Sequence, residues 1–379
     1  MWNEIEPKIK RALDLTEAEA EWLLERKEPE ELERLYALAN EVNERLNGRQ
    51  VSFIHNMNVN YTNICEYHCT FCEFKKSPDS KDAYILNFED VKHRINHADG
   101  VISEITFQGG LSPSVKFNEV LRLLAQIRSA YPGIHFHAFS PEEIDYYAWE
   151  TNQTYQEVVS QCKEAGMNSM CGTAAEVLDD EVRRKICWEK ISSDEWCEII
   201  KTGHRLGLHS TATILFGHIE TPRQVANHFK KVREVQRETG MITEFIPLLF
   251  MPDKTRLGRL VDKQMNRVEY AFKMLAASRL YFQNDIRNIQ TSWVKLGWDH
   301  ALKSLAVGAN DMGGTLYHEN ITREAGGENG EYTPREKFIS EISRVGKIPV
   351  ERDTIYSFQK SGPAKFQGSV CRGAIHGAL

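Results

Sequence analysis

From Val51 onward the chain alternates short apolar runs with capped amphipathic stretches, and this grammar constrains its fold more than any other feature. Val101 to Phe107 predicts a strand that ends at Gly109-Gly110, Phe117 to Ser129 a helix, and Ile134 to Phe139 the next strand. Ser140-Pro141-Glu142-Glu143 then opens a helix, with a serine cap, proline in the first turn and glutamate at the third position. Ser192 to Glu195 is a capping box for a helix running to Gly207, with Trp196, Ile199 and Ile200 on one face. Leu208 to Phe216 predicts a strand, Thr221-Pro222 a helix ending near Gly240, and Glu244 to Leu249 a strand. A long helix over Arg267 to Gln283 and a strand over Asn288 to Val294 follow. Repeated strand–helix alternation predicts a parallel sheet with helices outside it, hence an α/β fold built as a partial or complete (β/α) barrel of TIM type. In such barrels the chemistry sits at the C-terminal ends of the strands.

Residues 1–50 read as a helical extension. Thr16-Glu17-Ala18-Glu19 is a capping box ahead of Trp22, Leu23 and Leu24, and Leu35, Leu38, Ala39, Val42 and Leu46 recur at helical spacing. The barrel core is expected over 51–300 and a C-terminal region over 301–379, with a glycine-rich tail after Gln359 that reads as mobile. The formal charge of -7, from 47 basic and 54 acidic residues, argues against a nucleic-acid groove. No apolar run reaches ~18 residues, so no membrane span is expected. Eight cysteines without regular pairing fit a reducing cytoplasm better than a disulfide framework.

Three of those cysteines stand at C-x3-C-x2-C spacing, as Cys65, Cys69 and Cys72. Three thiolates can hold three irons of a cubane [4Fe-4S] cluster and leave the fourth iron open. A zinc site is the alternative, with His68 as the fourth ligand, although zinc sites more often pair C-x2-C knuckles. Cys162, Cys171, Cys187, Cys197 and Cys371 read as buried thiols.

The cysteine motif resembles that of the radical S-adenosylmethionine (SAM) enzymes. The likeness extends through Asn58 to Cys65, Phe107-Gln108-Gly109-Gly110-Leu111, His137 to Glu143, Gly172-Thr173-Ala174-Ala175-Glu176, Thr211-Ala212-Thr213, Gly217-His218, Glu244-Phe245-Ile246-Pro247, Asn288-Ile289-Gln290, Ser292 to Gly297, Gly313 to Leu316 and Glu319-Asn320. Together these resemble the branch containing the deazaflavin (FO) synthase subunits and two menaquinone enzymes, aminofutalosine synthase and dehypoxanthine futalosine cyclase. Within it the chain is most similar to the tyrosine-using FO synthase subunits, the 5-amino-6-(D-ribitylamino)uracil–L-tyrosine 4-hydroxyphenyl transferases. Glu73, Ser112 and Cys171 depart from the alanine, histidine and proline usual there.

The resemblance implies a [4Fe-4S] cluster on Cys65, Cys69 and Cys72, with SAM on the open iron. It implies that Phe71 lies by the adenine, that Gln108-Gly109-Gly110 receives the SAM amino group, and that Glu176 binds the ribose hydroxyls. Ser140 either reaches SAM or substrate, or simply caps its helix. His218, Glu244, Gln290 and Asn310 are the expected catalytic or substrate-facing groups at strand ends, with His137, Thr213, Trp293 and Asp311 as further candidates. The implied reaction takes a hydrogen from the amine of L-tyrosine, breaks its Cα–Cβ bond and adds the 4-hydroxybenzyl fragment to 5-amino-6-(D-ribitylamino)uracil. A reductant such as ferredoxin or flavodoxin and a second FO synthase subunit are the implied partners. A menaquinone-pathway enzyme is the alternative, and a non-catalytic iron–sulfur carrier or zinc scaffold the reading from another class.

Overall fold

The computed structural model describes residues 1–262 and 264–360. The N-terminal helices form where the sequence places their caps. Thr16 Oγ1 accepts the Glu19 N–H at 3.2 Å while Glu19 Oε2 accepts the Thr16 N–H at 2.8 Å, and the helix Glu17–Leu24 begins there. The helix Pro29–Asn47 buries Leu32, Leu35, Leu38, Ala39 and Val42. It packs on the helix Arg267–Tyr281, and Glu17–Leu24 packs on the helix Pro222–Thr239, so the extension clamps two outer helices of the main domain. Each fully buried leucine contributes about 1.5–3 kcal/mol by leaving water.

Among the described residues ten strands follow: β1 (Gln50–Ile54), β2 (Asn56–Asn60), β3 (Glu104–Gln108), β4 (His135–Ala138), β5 (Ser169–Met170), β6 (His209–Phe216), β7 (Ile242–Leu249), β8 (Asn288–Ile289), β9 (Asp311–Gly314) and β10 (Ile348–Glu351). Every strand pairing is parallel. One sheet runs β2-β3-β4-β5-β6-β7-β8 and a second runs β10-β1-β9. The two join into a ring. Asn310 N–H donates to Ile289 O at 3.1 Å and Thr291 N–H to Asp311 O at 2.8 Å, which ties β9 to β8. On its other side Thr315 N–H donates to Ile54 O at 3.0 Å and Asn58 N–H to Tyr317 O at 2.8 Å. The expected barrel is therefore closed by residues beyond 300, so the ring and the C-terminal region are not separate at that boundary.

Helices cover the outside, and most start at a side-chain cap. Asn87, Ser140, Thr154, Ser192 and Thr221 each accept a backbone N–H of the first turn. The expected strand over 288–294 is shorter than its apolar run suggested. Only Asn288–Ile289 stay in the sheet, and Trp293–Leu296 form a short helix whose Trp293 indole donates to Gly314 O at 3.0 Å and packs on Trp298 and Phe338. The glycine-rich tail lies, from residue 361, outside the described residues. Among the described residues no helix is long and apolar enough to cross a membrane.

Alternation along the strands decides what the ring encloses. Asn56 and Glu104, from the starts of β2 and β3, meet inside at 3.1 Å. Glu244, third residue of β7, and Asp311, first residue of β9, face the same level. The segment after β10 reaches in from below to meet them. Arg352 Nε donates to Asp311 Oδ2 at 2.7 Å and Nη2 to Glu244 Oε1 at 3.1 Å, while Thr354 Oγ1 donates to Glu104 Oε2 at 2.6 Å. Tyr356 OH lies 2.9 Å from both Glu244 Oε2 and Asp311 Oδ2. This buried polar layer is the floor. Above it, inward positions Asn58, Thr106, Gln108, Leu215, Ile246, Leu248 and Gln290 are only partly buried although their outward neighbours are sealed, which marks a hollow open at the C-terminal mouth.

Candidate active site

The loop that leaves β2 carries the three cysteines directly over this mouth. Cys65 N–H donates to Lys76 O at 3.2 Å and Cys72 N–H to Cys69 O at 3.2 Å, which folds the loop back on itself. Thr70 N–H donates to Ile186 O at 2.8 Å and Leu257 N–H to Thr70 O at 2.9 Å, which pins the loop to two other segments of the rim. All three thiols are free and partly buried. Burial raises the pKa of Cys69 and Cys72, and each feels the charge of another cysteine of the loop.

These residues fit a cubane cluster better than zinc. Among the described residues no three His, Cys, Asp or Glu side chains converge on one ion position. Thiolates that each bind a different iron have no need to converge in that way. His68 turns outward, its Nδ1 at 3.1 Å from Glu189 Oε1 and its ring stacked on Trp188, so it does not complete a zinc tetrahedron. Gly110 shows how closely the next loop approaches. A Cβ added there would lie 2.2 Å from Ile64 O and 3.0 Å from Cys65 Cβ. Only a glycine lets the end of β3 pass beneath the cysteine loop.

One carboxylate organises this junction, and sequence reasoning read it as a mere capping residue. Glu143 Oε1 accepts the Tyr61 hydroxyl at 2.8 Å and the Gly109 N–H at 3.0 Å. Its Oε2 accepts both the Ser140 N–H and the Ser140 hydroxyl at 2.8 Å. A single buried side chain thus ties together the exits of β2, β3 and β4. Ser140 caps its helix, accepting the Glu143 N–H at 3.3 Å, so its hydroxyl is committed to Glu143. Gln108 Nε2 donates to Thr173 Oγ1 at 2.6 Å, linking β3 to the turn after β5.

That turn presents Glu176. Ala174 and Glu176 sit at φ 61° and 46°, a left-handed conformation costly for residues with a Cβ. Arg183 holds them there, donating from Nη1 to the carbonyls of Ala174 and Ala175 at 3.2 and 2.7 Å. Glu176 Oε1 accepts Lys190 Nζ at 2.9 Å, and the same ammonium stands 5.6 Å over the Phe71 ring. Lys190 is the second residue the sequence did not flag. Its charge acts on Cys69 from inside the cluster loop's rim. Glu142, beside it, has its pKa pushed to about 7 by burial, and its Oε2 has no hydrogen-bond partner among the described residues.

Of the four expected catalytic side chains, three are bound up in the protein. His218 Nδ1 lies 2.7 Å from the Ile219 nitrogen and 3.1 Å from Glu220 Oε2, and its Nε2 lies 3.0 Å from Leu215 O, so both ring nitrogens face protein groups. Asn310 Oδ1 accepts Arg279 Nη2 at 2.6 Å and the Ile289 N–H at 2.9 Å, and its Nδ2 donates to Asn288 Oδ1 at 3.0 Å. Glu244 lies in the floor, where burial pushes its pKa to about 7 despite Arg352. One guanidinium there faces two carboxylates, so the charge balances when Glu244 carries a proton. Gln290 alone of the four keeps its side-chain amide unengaged among the described residues and turned to the hollow. His137 is buried between Ser169 Oγ at 2.7 Å and Thr211 Oγ1 at 3.4 Å, and burial lowers its pKa to about 4.

Comparison with known proteins places this arrangement. The Radical SAM superfamily matches residues 59–232, and the CofH/MqnC C-terminal region matches residues 238–364. A Methanopyrus kandleri protein described as 5-amino-6-(D-ribitylamino)uracil--L-tyrosine 4-hydroxyphenyl transferase is 41% identical over 320 residues, covering 84% of this chain and 87% of that one. A Microcystis aeruginosa protein of the same description is 39% identical over 375 residues, 93% of this chain and 97% of that one. Among solved structures, methylornithine synthase (PylB) superposes with a TM-score of 0.71 at 19% identity, covering 94% of this chain and 99% of that one. HydG, a maturase of the [FeFe]-hydrogenase, gives 0.70 at 14% identity, over 94% and 77%. Both carry the same barrel. The cofactors of the superfamily are a [4Fe-4S] cluster and SAM, and the expected enzyme class stands. With the cysteine loop, the closed ring and these relatives together, the chain belongs to the radical SAM superfamily and, within it, to the family of the 5-amino-6-(D-ribitylamino)uracil–L-tyrosine 4-hydroxyphenyl transferases.

Proposed function

We propose that this chain transfers the 4-hydroxybenzyl group of L-tyrosine to 5-amino-6-(D-ribitylamino)uracil, a step in deazaflavin (FO) biosynthesis. The observation that carries this reading is identity of about 40% over most of the chain with relatives described by that reaction, including one matched over 97% of its length. The cluster and SAM, bound by Cys65, Cys69, Cys72 and the surrounding rim, supply the hydrogen-atom abstraction that no side chain can perform. The protein's share is positioning and exclusion of water. Glu143 fixes Tyr61, Gly109 and Ser140 in one rigid junction, against which SAM is seated. Glu176 on its clamped turn offers two acceptor oxygens to a ribose diol, with Lys190 as its counter-charge. Asn58, Thr106, Gln108 and Gln290 line the hollow with both donors and acceptors, which suits a pyrimidinedione and a ribityl chain. The floor of Glu244, Asp311, Arg352 and Tyr356 seals the hollow from below. A one-electron donor of the ferredoxin or flavodoxin kind serves the cluster, and a second FO synthase subunit closes the deazaflavin ring, both in the cytoplasm.

The test is an anaerobic assay of reconstituted protein with SAM, dithionite, L-tyrosine and 5-amino-6-(D-ribitylamino)uracil, read by mass spectrometry. Tyrosine-dependent 5′-deoxyadenosine together with a hydroxybenzyl–uracil adduct is expected. Deoxyadenosine without the adduct would overturn the acceptor, and no deoxyadenosine from a protein with full iron and sulfide content would overturn the reaction.

A further inference from the structure

The inward face of β2 ends in an amide that the protein itself does not use. Alternation along β2 sends Asn56, Asn58 and Asn60 to one face and Met57 and Val59 to the other. Asn56 shows which face is inward, because its side chain donates to Glu104 of the floor at 3.1 Å and accepts the Leu316 N–H at 3.0 Å. Tyr61 continues the opposite face, and its hydroxyl meets Glu143 and Tyr147 of an outer helix, each at 2.8 Å. Asn60 therefore points into the hollow. It pairs in register with Gln108 at the end of β3, stands about 13 Å above Asn56 at the rise of a strand, and precedes Cys65 by five residues.

Asn60 is only 5% exposed, and its Oδ1 is buried without a hydrogen-bond partner among the described residues. Its Nδ2 is likewise unengaged there. A buried carbonyl oxygen without a donor costs stability, so its donor comes from outside the chain. The wall around it narrows what that donor belongs to. Above the floor the inward positions Asn58, Thr106, Gln108, Ile246 and Gln290 carry no charge, so a carboxylate or phosphate meets no cation on this wall.

A side-chain amide sets an acceptor beside a donor in one plane. Its complement is a planar edge with an N–H next to an acceptor, as when asparagine pairs with the edge of a nucleobase. A pyrimidinedione has that edge at N3–H and its flanking carbonyls, whereas the amino-acid end of tyrosine is charged and its phenol offers a single O–H. The adenine of SAM has a comparable edge. Phe71, expected beside the adenine, lies under Lys190, whose partner Glu176 follows β5, whereas Asn60 belongs to β2. We infer that Asn60 reads the imide edge of the acceptor, its Oδ1 accepting N3–H and its Nδ2 donating to a neighbouring carbonyl, an inference that rests on the proposed use of 5-amino-6-(D-ribitylamino)uracil.

The test compares 5-amino-6-(D-ribitylamino)uracil with its N3-methyl analogue by calorimetric titration of reconstituted, SAM-saturated protein under anaerobic conditions. Wild type is expected to prefer the parent compound by about 10- to 100-fold, as for a paired amide edge. Asn60→Leu, which keeps the shape of the side chain, and Asn60→Ala are each expected to bind the parent about 10- to 100-fold more weakly and to lose the preference. Their affinities for SAM and L-tyrosine are expected to stay unchanged. Without ligands, Asn60→Leu is expected to melt about 1–4 °C above wild type, because an apolar group replaces an unpaired buried amide. A lower Tm in that variant shows the amide paired within the protein and overturns the inference. Undiminished affinity for the parent in either folded variant also overturns it and leaves the proposed function standing. Weakened SAM or L-tyrosine binding with acceptor binding intact overturns it and assigns the amide to that ligand. Equal binding of parent and analogue by wild type, with both weakened in the variants, overturns the imide edge and assigns the amide to the ribityl chain. A wild-type protein that binds neither uracil overturns the proposed function and this inference together.

Discussion

Replacing Arg352 by methionine tests whether the barrel floor is an ion-paired layer. The change keeps an unbranched side chain and removes the only guanidinium that faces Glu244 and Asp311 among the described residues. It deletes the donors at 2.7 Å to Asp311 and 3.1 Å to Glu244, and leaves two buried carboxylates bridged by the Tyr356 hydroxyl, with the Ser52 hydroxyl and the Gly313 N–H still donating to Asp311. Removing one partner of a buried pair costs about 3–5 kcal/mol. With an unfolding entropy of ~2.1 cal/mol/K per residue, a chain of 379 residues loses about 4–6 °C in Tm for that cost. The pH dependence has a definite sign. Without the cation, burial and mutual repulsion hold the carboxyl pKa values of the folded variant above those of the unfolded chain. Their protonated forms then favour folding below the unfolded carboxyl range, and that stability is lost as pH rises through the raised folded values. The Tm deficit of the variant against wild type should therefore widen from pH 5.5 to pH 8 in thermal melts followed by circular dichroism. A deficit below about 1 °C at pH 8, or one larger at pH 5.5, would refute the reasoning.

Three further outcomes follow from the same geometry. Glu244→Gln should cost less than ~1 kcal/mol near neutral pH because Glu244 is raised to about 7 and already carries much of a proton, whereas Asp311→Asn should cost several times more; equal costs in chemical denaturation would place the proton elsewhere. Gly110→Ala should displace the cysteine loop, at a cost of about 1–3 kcal/mol, because its new Cβ meets Ile64 O at 2.2 Å; iron and sulfide content after reconstitution should fall while far-ultraviolet circular dichroism stays unchanged. Alanine at Cys65, Cys69 or Cys72 should abolish the cluster's visible absorbance, whereas alanine at Cys197, on an outer helix, should leave it intact.

Much of the ring could be read from local signals. Thr16, Ser140, Ser192 and Thr221 cap the helices their sequences announce, because capping needs only residues three apart. The cysteine spacing and the glycine pair after β3 likewise carry their own geometry. What stayed hidden depends on distant partners. Position at the strand ends put Glu244 and Asn310 among the candidates, but position could not show that Glu244 belongs to the floor or that Asn310, next to the inward Asp311, is held by Arg279 of an outer helix. Arg352, which makes Glu244 part of the floor, lies 108 residues away in sequence. Glu143 looked like a capping glutamate because the capping box is local; that it also holds Tyr61 and Gly109 is a tertiary fact. Lys190 carries no motif that separates it from a surface lysine. The strand predicted through Val294 ends at Ile289, and the Trp293 indole that follows bonds Gly314, a partner 21 residues on that no local signal reveals.

The late position of Arg352 gives the floor a history as well as a structure. During synthesis Glu244 leaves the ribosome 108 residues before its partner. At about 5–20 residues per second that interval is about 5–20 s. Through it Glu244 has no guanidinium to face, and for the last 41 residues of it Asp311 has none either. The floor is complete only once the segment after β10 has been made and lies under the ring, so one arginine, made late, closes the vessel from below.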